Sequence, residues 1–240
     1  MSAPFIDSFH EINNDNYTVD TNDDAINAKY DKWNTYMHTT NGNISVSDYK
    51  IMQINSGNGN WNKNDMLLMC NIYKHDPDIV IVSESNFLDS PNNQNRRNSM
   101  FPGYICHDKI FRTQNMARLT VLVKSCFECE REFSLENETN PTIILKLKIS
   151  KNKYHQIIGN YRQWKGVSPD CLYNSRSEDD SIRRFEDMIN IWTNVVKKNN
   201  PTYILGDINI DRLEKNDPEN RPDIRKLIPI LTEFQKSNKI

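Results

Sequence analysis

Short apolar runs separated by turn-forming residues recur along the chain from residue 49 onward. Residues 50–55 alternate polar and apolar side chains, which predicts a strand. Residues 78–84 form the continuous apolar run that is typical of a strand buried on both faces. Further strands are predicted at residues 119–124, 142–149, 154–161 and 202–206. Residues 151–153 predict a hairpin turn, so the strands on either side of them should be antiparallel neighbours.

Other segments have apolar residues at helical spacing. Residues 62–73 predict a helix that ends at Asp76-Pro77, and residues 180–198 predict a strongly amphipathic helix. Residues 223–234 predict a final helix, which Pro229 should kink or shorten because proline lacks the backbone donor. Since the strands combine a hairpin with helical crossovers, the pattern predicts an α/β fold with two packed mixed β-sheets flanked by helices, a four-layer α/β sandwich.

Residues 1–48 differ from the rest of the chain because they are polar and rich in Asn and Asp, with weak helical spacing only at residues 25–37. Such a segment has too little apolar surface for a packed core. We therefore interpret residues 1–48 as a largely disordered N-terminal extension and expect residues 49–240 to form one domain.

Composition narrows the class of protein. The chain has 240 residues, of which 37% are hydrophobic, and a net charge of −2. It has neither an apolar run long enough for a membrane-spanning helix nor a signal sequence at its start, so no membrane association is expected. The five cysteines favour a reduced, intracellular location, cytoplasmic and/or nuclear. The near-neutral charge neither favours nor excludes DNA as a partner.

Polar side chains follow the predicted strands at the points where those strands end. They are Asn55, Glu84, Tyr161, Asp207 and Asn209. Groups beyond strand ends of α/β folds meet in one crevice, where a carboxylate can hold Mg²⁺ and a second carboxylate can align a water molecule. This set suits metal-assisted hydrolysis of a phosphate ester. A single Asp or Glu after a strand is more often a turn former or a helix cap, and an Asn before Ser-Gly is common in loops.

Four segments in this order resemble the endonuclease/exonuclease/phosphatase superfamily. They are Ile51-Met-Gln-Ile-Asn55, Pro77-Asp-Ile-Val-Ile-Val-Ser-Glu84, Asn160-Tyr-Arg-Gln163 and Ile204-Leu-Gly-Asp-Ile-Asn209. The Gly-Asp-x-Asn motif in the last segment is the most specific. Tyr161-Arg-Gln-Trp164 is most similar to the endonuclease domains of non-LTR (LINE-type) retrotransposons.

The resemblance implies a role for each matched residue. Glu84 would bind a divalent metal, Mg²⁺ or Mn²⁺, and Asp207 would orient or deprotonate the attacking water. Asn209 and Asn55 would position the metal or the phosphate, and Tyr161 would donate a hydrogen bond to the phosphate that is cut.

The resemblance also implies DNA as the substrate. The chain could be the front of a longer polyprotein with a downstream reverse transcriptase, or a fragment from a decayed retroelement. Arg162 could add a charged phosphate contact, and Trp164 could stack in a DNA groove. The alternatives for these two side chains are a solvated Arg162 on the surface and a partly buried Trp164 in a loop.

The chain departs from the family pattern in two places. The family's final Asp-His pair has no counterpart after Asp207, which implies a domain that lacks its last strands. The family's Gly-Gly before the strand at Leu119 is replaced by Ala117-Arg118. Two other functions therefore stay open: hydrolysis of a small phosphate ester or a lipid phosphate, and a catalytically inactive remnant of the family.

Overall fold

The computed structural model describes residues 49–56, 68, 71–88, 90–91, 95, 100–111, 116–137, 139–163, 175, 177–196, 200–210 and 222–238. The predicted N-terminal extension and most of the predicted helix at 62–73 lie outside these residues. Residues 71–75 are helical, in agreement with the end of that helix.

Eight strands in the described part of the chain form two four-stranded mixed sheets. In the first sheet the strands lie in the order β1 (Ile51–Asn55), β2 (Ile79–Leu88), β4 (Met116–Lys124) and β3 (Tyr104–Phe111). In the second sheet the order is β5 (Cys129–Arg131), β6 (Thr142–Ser150), β7 (Lys153–Tyr161) and β8 (Thr202–Asp207). The β1–β2 and β7–β8 pairs are parallel, and the other neighbours are antiparallel.

The main core lies between the two sheets and is built from the alternate residues that each strand turns inward. Its fully buried members include Ile79, Ile81, Leu119, Val121, Ile143, Leu145 and Ile157. Gly159 of β7 allows the sheets to approach closely, because a Cβ atom there would lie 2.8 Å from Cγ2 of Val121.

Helices cover the outer faces. Helix α1 (Glu178–Val196) packs on the second sheet, and its buried Trp192 donates a hydrogen bond from Nε1 to Oδ1 of Asn160 at 2.8 Å. Helix α2 (Pro222–Asn238) packs on α1, with the rings of Trp192 and Phe234 5.5 Å apart. On the first sheet, Leu68 and Ile72 join a second apolar cluster with the outward residues of β2 and β4. The predicted class, two packed mixed sheets flanked by helices, is confirmed.

Three details differ from the sequence-based predictions. Pro229 does not shorten the last helix, which continues past it to Asn238. Strands β3 and β5 and the short 3-10 helix Phe133–Leu135 had not been predicted. Strand β2 does not end at Glu84 but continues to Leu88. Within the described residues, no helix has the length and apolar character needed to cross a membrane.

Candidate active site

Four of the predicted site residues meet at one end of the sandwich. The parallel pairing of β1 with β2 and of β7 with β8 brings Asn55, Glu84, Tyr161 and Asp207 to the same end. Asn55 donates from Nδ2 to Oδ2 of Asp207 at 2.8 Å, and the Tyr161 hydroxyl donates to Oε1 of Glu84 at 2.8 Å. Each of these hydrogen bonds joins the first sheet to the second, so the site spans both sheets.

Glu84 reaches the site because β2 is irregular there. Ser83 is paired with Leu119 and Phe87 with Ala117, so residues 84–86 of β2 lie opposite Arg118 alone. Glu84 has a φ of 53°, a left-handed conformation that is uncommon outside glycine. Such bulges re-aim side chains and occur next to active sites. The sequence predicted that Glu84 reaches the site because its strand ends there. In the structure the bulge in β2 brings Glu84 to the site instead.

Gly206 permits the tight path of β8 into Asp207. Its φ is 135°, and a Cβ atom at this position would lie 1.9 Å from the carbonyl oxygen of Asn160. Its backbone N–H donates to Oε1 of Gln53 in the other sheet at 2.9 Å. The glycine of the Gly-Asp-x-Asn motif is therefore required by backbone packing between β7 and β8.

Asp207 is held by hydrogen bonds to both of its carboxylate oxygens. The backbone N–H of Asn209 donates to Oδ1 at 2.8 Å, and Asn55 donates to Oδ2. Each carboxylate oxygen has a second lone pair, so an oriented water molecule can still donate to it.

Arg162 does not lie where the sequence suggested. The residue has 0% relative exposure, and its guanidinium donates to the carbonyl oxygens of Ile208 at 2.6 Å and Asn209 at 2.7 Å and to the hydroxyl of Ser181 at 3.0 Å. The predicted phosphate contact, and its alternative of a solvated arginine, are both inconsistent with this burial. Arg162 instead fixes the backbone that follows Asp207.

Asn209 is part of the same arrangement. It adopts a φ of 51°, which asparagine tolerates better than most residues, and its Nδ2 donates to the carbonyl oxygen of Arg162 at 2.6 Å. The side chain of Asn209 is largely buried, with 8% relative exposure, and its Nδ2 is occupied by Arg162. Asn209 therefore contacts the site through its backbone N–H, which donates to Asp207. The other predicted substrate-contacting side chain, Trp164, lies outside the described residues.

Tyr161 is buried, with only its hydroxyl end directed at the site. Burial raises the pKa of its phenol, the nearby Glu84 carboxylate raises it further, and the Arg118 guanidinium opposes the shift. The phenol is therefore protonated at neutral pH and is a hydrogen-bond donor.

Arg118 and Asn86 also belong to this group, although neither was predicted as a site residue. The Arg118 guanidinium carbon lies 5.6 Å from the centre of the Tyr161 ring, and Nη1 donates to Oδ1 of Asn86 at 2.5 Å. Asn86 has a φ of 50° and lies in the same bulge as Glu84. The only sequence signal was the Ala117-Arg118 pair in place of the family's Gly-Gly.

The carboxylate oxygens of this site are suitable ligands for a hard divalent cation. The hydrogen bond from Tyr161 reaches Oε1, one of the two carboxylate oxygens of Glu84. The described residues contain no group of three or more His, Cys, Asp or Glu side chains that could hold a metal ion. Mg²⁺ does not require such a cage, since it is often bound through one or two carboxylates and keeps several waters. The residues therefore fit Mg²⁺ better than a metal that prefers nitrogen or sulfur ligands.

The three-dimensional fold has solved counterparts. The endonuclease domain of TRAS1, a telomere-specific non-LTR retrotransposon, is similar with a TM-score of 0.52 and 12% identity, over 78% of this chain and 72% of that one. The AP endonuclease LMAP from Leishmania major is similar with a TM-score of 0.51 and 15% identity, over 75% of this chain and 66% of that one. The chain has the endonuclease/exonuclease/phosphatase fold. No protein-family model and no curated protein matches the sequence.

At these identities the similarity establishes the fold and not the substrate, since one fold supports many functions. The function has to be inferred from the side chains that the fold brings together.

Proposed function

We propose that this protein is a metal-dependent phosphodiester hydrolase that cuts DNA, of the type found in non-LTR retrotransposons. The observation that carries the proposal is the pair of hydrogen bonds that unites Asn55 with Asp207 and Tyr161 with Glu84 across the two sheets. A structural role alone gives no reason for two carboxylates, an amide and a buried phenol to converge at one end of the sandwich.

Each residue has a defined task in this proposal. Asp207, oriented by Asn55 and the backbone of Asn209, accepts a proton from the attacking water, whose oxygen forms the new bond to phosphorus. The P–O bond to the leaving sugar oxygen breaks, and that oxygen takes a proton from solvent. The Tyr161 hydroxyl, kept protonated by its surroundings, would turn its single proton from Glu84 to a phosphate oxygen as negative charge develops there. Mg²⁺ or Mn²⁺ held by Glu84 would supply further stabilisation of that charge.

DNA is favoured as substrate by the solved structures with the same fold, which include a retrotransposon endonuclease and an AP endonuclease. A small phosphate ester is the alternative substrate class. A reverse transcriptase in the same polyprotein would accompany a retrotransposon endonuclease.

The experiment that tests the proposal is nicking of supercoiled plasmid by the purified chain, with Mg²⁺ and with EDTA. We expect nicking that requires the metal and that falls at least about a hundredfold in each of two variants, Asp207→Asn and Glu84→Gln. The first removes the carboxylate that accepts the proton of the attacking water, and the second removes the carboxylate that would hold the metal. Asp187→Asn and Glu186→Gln, on helix α1, are matched controls and should nick at the wild-type rate.

The outcomes separate the alternatives. Hydrolysis of a small activated phosphodiester without nicking of plasmid would favour a small substrate. Absence of both reactions in a folded sample would favour the inactive remnant. Equal nicking by wild type and Asp207→Asn would show that the catalytic assignment is wrong.

A further inference from the structure

Arg118 lies at an irregular position of strand β4. On one side, Lys109 of β3 is paired with Leu119 and Ile110 with Ala117, so Arg118 is an extra residue of β4 that has no counterpart in the register with β3. On the other side, Arg118 lies opposite the bulge of β2 that contains Glu84 and Asn86. Both neighbouring strands thus depart from regular pairing at Arg118. Because an extra residue in a bulge changes the direction of its side chain, this local geometry releases Arg118 from the alternation of β4.

The guanidinium of Arg118 is held in a defined position. It lies over the ring of Tyr161 at 5.6 Å, and Nη1 donates to Oδ1 of Asn86 at 2.5 Å. The Tyr161 hydroxyl in turn donates to Glu84. A cation, a phenol and a carboxylate are therefore in one connected group, and the side chain of Arg118 is only partly exposed.

The negative charge of the site explains why a cation is needed beside it. Glu84 and Asp207 each carry a negative charge when ionised, and a phosphodiester adds another, so the substrate is repelled unless cations are close. A guanidinium is always charged at neutral pH and presents a planar fork of donors that matches phosphate oxygens. Arg118 is a cation that the described residues place beside Tyr161, whose hydroxyl donates to Glu84.

We propose that Arg118 binds the phosphate group of the substrate beside Tyr161, and that Asn86 is a positioning residue that fixes the orientation of the guanidinium. The inference rests on the proposed function, since it assigns the residue that binds the phosphodiester in that same site. It also accounts for the bulges on β2 and β4, which bring Glu84, Asn86 and Arg118 to one place.

Binding of DNA without cleavage tests the proposal separately from catalysis. A short fluorescent DNA duplex is titrated with protein in EDTA at several salt concentrations. We expect Arg118→Gln to weaken binding about ten- to hundredfold, as for loss of a charged hydrogen bond. The slope of log affinity against log salt should fall by about 1, because one phosphate contact is lost.

Two further variants separate charge from orientation. Arg118→Lys keeps the charge and should keep the salt slope, but it should raise KM because the fork is lost. Asn86→Gly accepts the positive φ of this position without strain, so it removes only the amide that orients Arg118. It should keep the salt slope and lower kcat more than it raises KM.

Lys151→Gln is the matched control for loss of a positive charge. Lys151 is exposed in the turn before β7, whereas Tyr161 ends that strand. Strand β7 begins at Lys153, two residues after Lys151, and Tyr161 lies eight residues further along it, which corresponds to about 26 Å of extended strand. Lys151 is therefore far from the site. This control should leave affinity and slope unchanged.

The failure of this inference can be distinguished from the failure of the proposed function. If wild type nicks plasmid but Arg118→Gln, verified as folded by its thermal unfolding, binds with unchanged affinity and slope, Arg118 has no phosphate contact and the inference is overturned. If Arg118→Gln does not fold, loss of the salt slope in Arg118→Lys, which retains the charge, overturns it. If wild type neither binds nor nicks DNA, both proposals fail together.

Discussion

At the scale of single residues, Gly206 shows how a motif residue can be essential without taking part in chemistry. Gly206→Ala places a Cβ 1.9 Å from the carbonyl oxygen of Asn160 and also imposes a side chain at a φ of 135°. We expect a loss of about 2–4 kcal/mol in the free energy of unfolding, measured with urea, together with a large loss of nicking.

Gly103→Ala is the matched control for this substitution. Gly103 also has a positive φ, 85°, but a Cβ there would meet nothing within 4 Å. It should cost only about 1 kcal/mol, the conformational penalty alone. Equal losses in the two variants would mean that the contact with Asn160 is relieved easily and that packing does not explain the motif glycine.

The site residues that could be predicted are those at strand ends. Asn55, Tyr161 and Asp207 terminate their strands, and their order along the chain matched a known pattern. Arg118 and Asn86 could not be found in this way, because bulges interrupt the alternation on which pattern reading depends. Burial of Arg162 was also beyond prediction, since its acceptors are backbone carbonyls that only the folded chain brings near.

At the scale of elements, a buried ion-pair network holds the segment that contains the 3-10 helix. The side chain of Glu136 has 2% relative exposure and forms two 2.8 Å contacts with Arg131, with Lys109 at 3.6 Å. Oε1 of Glu136 also accepts from the backbone N–H of Ile144. Glu136 therefore links β3, β5 and β6 at the edge of the sandwich.

Glu136→Gln should destabilise the protein by about 3–5 kcal/mol in urea unfolding, because two largely buried cations lose their counter-charge. The exposed pair of Lys148 with Glu128 is the comparison, and Glu128→Gln should leave the free energy of unfolding nearly unchanged because solvent screens this pair. A similar small effect for both variants would contradict a structural role for the network.

This same region shows why two strands escaped prediction. Strand β3 carries His107 and Lys109 on the face that it turns toward the second sheet, so its sequence has no apolar alternation. Strand β5 has only three residues, too few for a periodic signal. The strands and the helix whose faces are uniformly apolar, such as β6 and α1, were predicted because burial alone determines their pattern.

At the scale of the whole molecule, each sheet contributes a histidine to the space between them. Burial, followed by the charge of Arg131, lowers the pKa of His107 on β3 to about 4. Burial, followed by the charge of Lys153, lowers the pKa of His155 on β7. Nδ1 of His155 also forms a hydrogen bond with the Tyr49 hydroxyl at 2.8 Å. Both lowered pKa values favour the neutral form of the rings in the folded protein at neutral pH.

The free energy of unfolding should consequently decrease as the pH falls from about 6.5 toward 4. In this window the unfolded chain binds protons at both histidines, with an ordinary pKa near 6.5. The folded protein keeps His107 unprotonated down to its pKa of about 4, and the lowered pKa of His155 makes that ring bind protons less readily than in the unfolded chain, so acid favours unfolding. The double variant His107→Gln/His155→Gln removes these titrations and should show a shallower dependence in urea unfolding at a series of pH values. Because the carboxylates are the same in both proteins, the difference in slope isolates the histidines. Parallel curves for wild type and the double variant would show that protons do not discriminate between the folded and unfolded states at these positions.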